Sequence, residues 1–367
     1  VLPERPPAPA AAAAPADSWD AALAAWPHAH LLQSHGWGAV QAASGWTVHR
    51  LRVDAGAGRT LPLTALSAPV VPGAPPRVYV PRGPACAPGD APAWEAALAA
   101  LEALGSRLGA VSVTVEPSAW SEDVPELEGR LGPGWARVDA VQPGHTAVVD
   151  LSGGEAEVLA RMRPKGRYNV RLAERRGVVV ERVTDVRLAA ARLARLCAAT
   201  ERRQGIVLPS TGHLRLVLTA LPGAWVQLAS VEGEVAAGAL VVPFAGEAVY
   251  LYGGSSSSHR ERQPSALVQF AAMRGALAAG CTRYDLWGIS PDADASHPWH
   301  GLRQFKLALG GRELVAAGAW RRRRRPLAGG VLEAAEAARL AGRRLRWRRR
   351  VTCPIESRRR MRTRGPK

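Results

Sequence analysis

The sequence predicts two related α/β domains, each a mixed sheet covered by helices. Three observations carry this. The chain has 367 residues, more than one ordinary core serves. Its apolar spacing alternates between the helical period and the strand period. The order helix–helix–β–β–β–α–β over residues 19–144 is followed over 145–325 by α–β–α–β–β–β–α–β, with a central meander and a helix–strand pair in common.

The elements follow in chain order. Residues 1–18, rich in Pro and Ala, read as a disordered leader. Trp19–Trp26 reads as a short helix. Gln33-Ser34-His35-Gly36-Trp37-Gly38 opens a second one, with Ser34 placed to accept a free first-turn N–H as its N-cap. Thr47–Val53 alternates as a strand, and Asp54-Ala55-Gly56-Ala57-Gly58 turns it into Thr60–Leu66. Arg77–Val80 is a strand stopped by Pro81-Arg82-Gly83-Pro84. Ala93–Leu108 has helical periodicity, and Val111–Val115 is a strand closed by Glu116-Pro117.

The second half opens with a strand at His145–Leu151. Glu155–Arg176 is a basic helical stretch interrupted at Pro164 and ended by Gly177. Val178–Val183 is a strand and Val186–Gln204 a helix. Trp225–Val231, Val235–Pro243 and Ala248–Tyr252 form an antiparallel meander, followed by a helix at Ser265–Ala279 and strands at Arg283–Trp287 and Arg312–Trp320. A last helix is expected over Leu327–Arg346, with Val331, Leu332, Ala335 and Ala338 as its apolar stripe, inside a basic appendage of residues 326–367.

Composition excludes several classes. Hydrophobic residues are 47% and charged residues 22%, which is globular usage. No apolar run approaches the roughly 18–20 residues of a membrane-spanning helix. The start lacks a basic segment leading into a long apolar one, so no secretory signal is expected. The four cysteines (Cys86, Cys197, Cys281 and Cys353) lie far apart without metal-ligand spacing and read as buried thiols in a reducing cytoplasm. His297 and His300 with Asp292 and Asp294 flank Pro298 without ligand spacing, so no metal is expected. Of the 48 Lys and Arg, 18 fall in Gly318–Lys367 against three acids, so +15 of the formal +17 belongs to that segment. Such a segment is either solvated or placed against a polyanion, RNA or an anionic membrane surface.

Several motifs occur in order: Leu32-Gln33-Ser34-x-x-Trp37-Gly38, Gly45-Trp46, Pro81-Arg82-Gly83-Pro84, Arg167-Tyr168-Asn169-Val170-Arg171-Leu172-Ala173-Glu174-Arg175-Arg176-Gly177-Val178, Tyr250-Leu251-Tyr252-Gly253-Gly254-Ser255, Tyr284-Asp285-Leu286-Trp287-Gly288-Ile289, and Gly301-Leu302-x-x-Phe305-Lys306-x-x-x-Gly310-Gly311. Over residues 30–320 this series resembles the FemABX aminoacyltransferases. The resemblance implies two GNAT-like domains, without the coiled-coil insertion some members carry. It further implies transfer of an amino acid from aminoacyl-tRNA to the stem-peptide amine of a peptidoglycan precursor, lipid-linked or UDP-linked, to form an interpeptide bridge. No cofactor is implied beyond aminoacyl-tRNA as co-substrate, and the expected location is cytoplasmic, peripheral at the inner membrane face.

The chemistry fits what the sequence lacks. An aminoacyl ester is already activated, so amine attack needs positioning and a stabilised oxyanion more than a strong base. There is no G-x-S-x-G, H-E-x-x-H or P-loop, and no Q/R-x-x-G-x-G/A loop of the kind that holds the pyrophosphate of CoA. Alternative readings are a GNAT-fold N-acyltransferase with another donor or a protein N-terminal acceptor, and a non-catalytic RNA- or membrane-binding protein.

By the resemblance, Lys306 lies near the reacting carbonyl or the tRNA 3′ end; read from the residues alone it is a surface lysine on a strand. Phe305 either packs or stacks on the terminal adenine. Arg203 is either a contact to the acceptor phosphate or a cation favouring its helix C-terminus. The family's other phosphate-contacting lysine falls on Ala39, and Arg82 or Arg50 is the substitute. Tyr252 faces the acceptor cleft or the core, and Trp37 is a candidate substrate contact. Asp285 holds the following loop or acts as a base, and Glu116 is a general-base candidate. The basic stretch Lys165–Arg176 repeats at about i, i+4, so several cations share a face; Lys165, Arg167 and Arg171 are read there as contacts of a rail for tRNA or lipid diphosphate, or as a solvated surface.

Overall fold

The structure, a computed structural model, describes residues 18–69, 72–204, 207–291 and 295–324. The leader through residue 17, Asp292, Asp294, Cys353 and the expected helix Leu327–Arg346 with its basic tail lie outside the described residues.

The first lobe contains α1 (Ser18–Ala24), α2 (His35–Ala43), β1 (Thr47–Asp54), β2 (Thr60–Pro69), β3 (Pro76–Pro81), α3 (Ala91–Arg107), β4 (Ser112–Glu116), α4 (Val124–Leu131) and β5 (Trp135–Val138). Ser34 caps α2 as expected, its Oγ accepting from Trp37 N–H at 3.1 Å. The second lobe follows with β6 (His145–Asp150), α5 (Gly154–Arg161), α6 (Pro164–Arg175), β7 (Val179–Val183), α7 (Val186–Gln204), α8 (Thr211–Ala220), β8 (Trp225–Val231), β9 (Glu234–Phe244), β10 (Glu247–Ser255), α9 (Pro264–Ala278), β11 (Arg283–Gly288), α10 (His300–Ala308) and β12 (Arg312–Val315). The final strand is β13 (Ala319–Arg323). Pro164 divides the expected basic helix into α5 and α6 by supplying the first residue of the second.

Two mixed sheets result. The first runs β1-β2-β3-β4-β13-β5 and the second β12-β6-β11-β10-β9-β8-β7. Each has one parallel pair, β3 with β4 and β10 with β11. The expected single strand Arg312–Trp320 is two strands. It breaks at Gly318, whose φ of +107° suits glycine. β12 pairs with β6, whereas β13 returns to the first sheet, where Trp320 stands opposite Val115 and is buried in the first core. We take the sheets as the cores of two domains along 19–144 and 145–325, with β13 lent to the first.

The lobes pack through α2. Leu31, Leu32, Trp37 and Val40 share one apolar cluster with Leu193 and Leu196 of α7 and Leu214 and Val217 of α8. At Gly36 a Cβ would lie 2.1 Å from the Ala220 carbonyl oxygen, so only glycine lets α2 reach the end of α8.

Two motifs of the first lobe interlock. Gln33, fully buried, donates through Nε2 to the carbonyls of Thr64 (3.0 Å) and Pro81 (2.7 Å), and its Oε1 accepts from Thr64 N–H at 2.8 Å. A Cβ at Gly83 would strike the Gln33 amide at 2.6 Å. These residues therefore build the scaffold. Burial pushes the Cys86 and Cys197 thiols up to about 12, which keeps both protonated.

Candidate functional site

A cavity of about 690 Å³ opens at the end of β10, between the C-terminal part of α7, the start of α9 and α10. Every residue lining it belongs to the second lobe. The structure brings Arg203, Tyr252, Phe305 and Lys306 to this one cavity. Glu116, Asp285, Arg82, Trp37, Lys165, Arg167 and Arg171 are not among its lining residues.

Lys306 is neither on a strand nor on the surface. It lies on α10, 4% exposed. Its Nζ donates to the carbonyl oxygens of Gly288 (2.9 Å) and Trp287 (3.3 Å) and stands 5.7 Å from the Tyr250 ring centre. Burial lowers its pKa to about 8, against the opposing pull of the Asp285 charge. The ammonium is thus desolvated, with backbone carbonyls as its hydrogen-bond partners. A cation in this state interacts strongly with charge developing beside it.

Asp285 supports this arrangement from behind. It sits inside β11, buried, and accepts hydrogen bonds from the Thr146 hydroxyl and from Trp287 N–H (2.8 Å). Trp287 has φ +65°, in the left-handed region a bulky side chain rarely adopts. Burial raises the Asp285 pKa, reinforced by the negative charge of Glu247, while its two hydrogen bonds oppose the rise. Of the two readings of Asp285, the geometry matches the acid that holds the following loop.

Phe305 both packs against the second-lobe core and lines the cavity. Tyr252 packs against the apolar cluster between the lobes and also lines the cavity, and its hydroxyl lies 3.1 Å from His213 Nε2 with the rings edge to face. Burial pushes the phenol up to about 12 and His213 below its ordinary value. Both are neutral hydrogen-bonding groups near neutral pH. Arg203 is held at the rim by the Ser255 carbonyl (3.0 Å) and hydroxyl (3.2 Å). At Gly253 a Cβ would overlap the Tyr250 ring, so the glycine makes room for the tyrosine beneath Lys306.

Glu116, Arg82, Trp37 and Arg167 do structural work. Glu116 is buried and accepts from Tyr79 Oη (2.7 Å) and from the backbone N–H groups of Gln142 (2.9 Å) and Val141 (3.2 Å). Arg82, also buried, donates to the Pro143 carbonyl at 2.8 Å. Together they fasten the segment joining the lobes, so Glu116 is not a base at this cavity. Trp37 fills the seam between the lobes. Arg50 donates to the His35 carbonyl (3.0 Å). Arg167 caps α5 by donating to the Ala160 and Met162 carbonyls, whereas Lys165 and Arg171 are exposed on α6.

Sequence reading missed three participants. His213 follows the N-cap Ser210 on α8, and nothing local in the sequence links it to Tyr252. Arg303, in an unassigned position of the Gly301-Leu302 motif, makes a two-pronged ion pair with Glu313 (2.7 and 2.6 Å) and donates to the Ser290 carbonyl, which fixes α10 against β12. Arg260 lines the cavity from the loop before α9.

Residues 226–336 match the FemAB family, a stretch that contains Tyr252, Asp285, Phe305 and Lys306. The lipid II:glycine glycyltransferase of Staphylococcus epidermidis is 37% identical over 79 residues, 22% of this chain and 19% of that protein. That of Staphylococcus saprophyticus is 43% identical over 82 residues, with the same coverage. The aligned segment thus spans about a fifth of these relatives. In fold, the chain is similar to FemX, with a TM-score of 0.77 at 21% identity over 85% of this chain and 97% of that one. It is also similar to the C-terminal domain of a putative lysylphosphatidylglycerol synthetase from Agrobacterium fabrum, with a TM-score of 0.50 at 14% identity over 78% and 88% of the two chains.

Proposed function

We propose that this chain is a member of the FemABX family, which the FemAB match and the FemX-like fold support, and that it is an aminoacyltransferase acting on a peptidoglycan precursor. The donor is aminoacyl-tRNA, and the acceptor is the stem-peptide amine of a lipid-linked or UDP-linked precursor. The observation that carries this reading is the desolvated Lys306 ammonium on the wall of a cavity large enough for an acyl group and an amine.

The reaction then needs no strong enzymic base. The acceptor amine attacks the ester carbonyl, a C–N bond forms, and the carbonyl oxygen becomes an oxyanion that Lys306 stabilises. The C–O bond to the terminal ribose breaks. The proton lost from nitrogen passes to the departing ribose oxygen, so the substrates conduct the transfer between themselves. Arg203 contacts the acceptor's phosphate, Tyr252 and Phe305 bound the reacting groups, and exposed Lys165 and Arg171 attract the tRNA backbone without reading its sequence. No helix among the described residues is long and apolar enough to cross a membrane. The basic C-terminal segment supplies peripheral attraction to the inner membrane face where a lipid-linked acceptor resides.

The test is incubation of the full chain with charged tRNA and lipid-linked precursor, followed by mass spectrometry of the stem peptide. A gain of one or more aminoacyl residues is expected. Transfer from acyl-CoA alone would identify an N-acyltransferase, and binding without transfer would identify a non-catalytic protein.

A further inference from the structure

We propose that the Gln269 carboxamide is a second donor to the oxyanion, its Nε2 N–H meeting the acyl oxygen beside Lys306. The inference deepens the acyl-transfer reading above and rests on it. Gln269 lies on α9 and lines the cavity, yet it is only 2% exposed. Its Oε1 accepts from the Tyr284 hydroxyl at 2.9 Å, and its Nε2 makes no hydrogen bond to any described residue.

The amide is oriented from inside the core. Tyr284 is fully buried, and burial holds its phenol protonated, so the hydroxyl has one proton to give and Gln269 Oε1 receives it. The NH2 end is left to the cavity. A buried donor without a partner is costly to keep, and a bound oxygen would satisfy it. Gln263, Ser256 and Tyr252, also on the wall, are already engaged: Gln263 donates to the Arg260 carbonyl (3.1 Å), Ser256 to the Ser258 carbonyl (3.1 Å), and Tyr252 meets His213. Lys306 needs a companion of this kind. The Trp287 and Gly288 carbonyls take two of its three N–H protons, which leaves one for a developing oxyanion. Tyr250 links the two donors. Its ring lies 5.7 Å from Lys306 Nζ, and the Tyr284 pKa, raised chiefly by burial, also senses the Tyr250 phenol. As the acceptor nitrogen bonds to the ester carbon, the carbonyl π pair moves onto oxygen, which accepts one N–H from each donor. The pair returns when the C–O bond to ribose breaks. No proton leaves Gln269, so its contribution does not titrate.

The test uses the full chain with Gln269→Met, Gln269→Glu and Tyr284→Phe. In steady-state transfer, Gln269→Met is expected to lose roughly a hundredfold in kcat, the scale of one oxyanion donor, with KM for either substrate within about threefold. Tyr284→Phe frees the amide to turn and should lose less. Gln269→Glu keeps the size of the glutamine but donates only while protonated. Its rate should fall with rising pH across a range where wild type is level, and it reads the donor even where Gln269→Met fails to fold. Independently of transfer, the Gln269 carboxamide protons, assigned in 15N spectra by their loss in Gln269→Glu, should shift downfield as glycine methyl ester, an acyl ester without RNA, is titrated in. Gln269 variants at wild-type kcat, a rise in KM alone, or carboxamide signals indifferent to the ester would each overturn the assignment. A carboxamide shift without transfer from charged tRNA would keep the acyl-oxygen contact and discard the aminoacyl-tRNA reading, so the two failures are distinct.

Discussion

Asp285 and Lys306 meet at the backbone of one residue. The Trp287 N–H donates to the carboxylate at 2.8 Å, and the Trp287 carbonyl accepts from the ammonium at 3.3 Å. The acid thus aims the carbonyl that holds the amine, and its charge favours the ammonium. The left-handed Trp287 is the strained link, kept in place by the groups on either side of it.

This link sets a pH dependence. In the proposed reaction Lys306 acts as the ammonium, so transfer is expected to fall as pH rises through about 8. Asp285→Asn keeps an oxygen for Trp287 N–H but removes the charge that raises the Lys306 pKa. The alkaline limb should therefore move to lower pH with little loss at pH 6.5 to 7, roughly where both proteins retain the ammonium. A pH–kcat profile checks this; an unmoved limb would separate the two residues.

Glu116→Gln should leave kcat within about threefold of wild type, because the acid ties down Val141 and Gln142 and lies away from the cavity. Its cost should appear in denaturant unfolding, at about 1–3 kcal/mol for a disturbed buried hydrogen-bond acceptor. A hundredfold loss of kcat at unchanged stability would restore it as a general base.

Trp320→Ala should destabilise the protein by about 3–5 kcal/mol, the ordinary cost of emptying a large buried site. The effect tests the return of β13 to the first sheet, because Trp320 is 2% exposed in the first core. An effect within 0.5 kcal/mol, roughly that of a surface change, would contradict that return.

Gly36→Ala should destabilise by about 1–3 kcal/mol through overpacking at the Ala220 carbonyl. Lobe contact then loosens, and limited proteolysis within the joining segment near Gln142 should accelerate. Unchanged proteolysis and stability would show that α2 and α8 have room to part.

Local patterns were legible where local physics decides. The alternation of Thr47–Val53, the N-cap at Ser34 and the helix break at Pro164 all stand in the structure. α4 and β5 were not read: α4 spans eight residues and contains Pro125 and Gly129, and β5 is a four-residue strand without a buried residue. The separation of β12 from β13 depends on partners far away in sequence, β6 for one and β4 for the other. The motif singles out Lys306 and Phe305, and both line the cavity, but their helix has only nine residues and the burial of the amine is a tertiary fact. Arg82, Trp37 and Glu116 show the converse. Each lies in or beside a motif, yet each holds lobes or linker together and none lines the cavity. The acidity of a side chain at a strand end does not reveal which backbone N–H groups will reach it.

We propose that a desolvated lysine on α10 stabilises acyl transfer from charged tRNA to a stem-peptide amine. Single-turnover transfer to lipid-linked precursor by wild type and Lys306→Met tests it most directly. The expected result is aminoacyl mass gain with wild type and a rate lower by roughly a hundredfold or more in the variant, the scale of losing one oxyanion donor, with cooperative unfolding retained. Transfer by Lys306→Met at the wild-type rate would show that the ammonium does not stabilise the oxyanion.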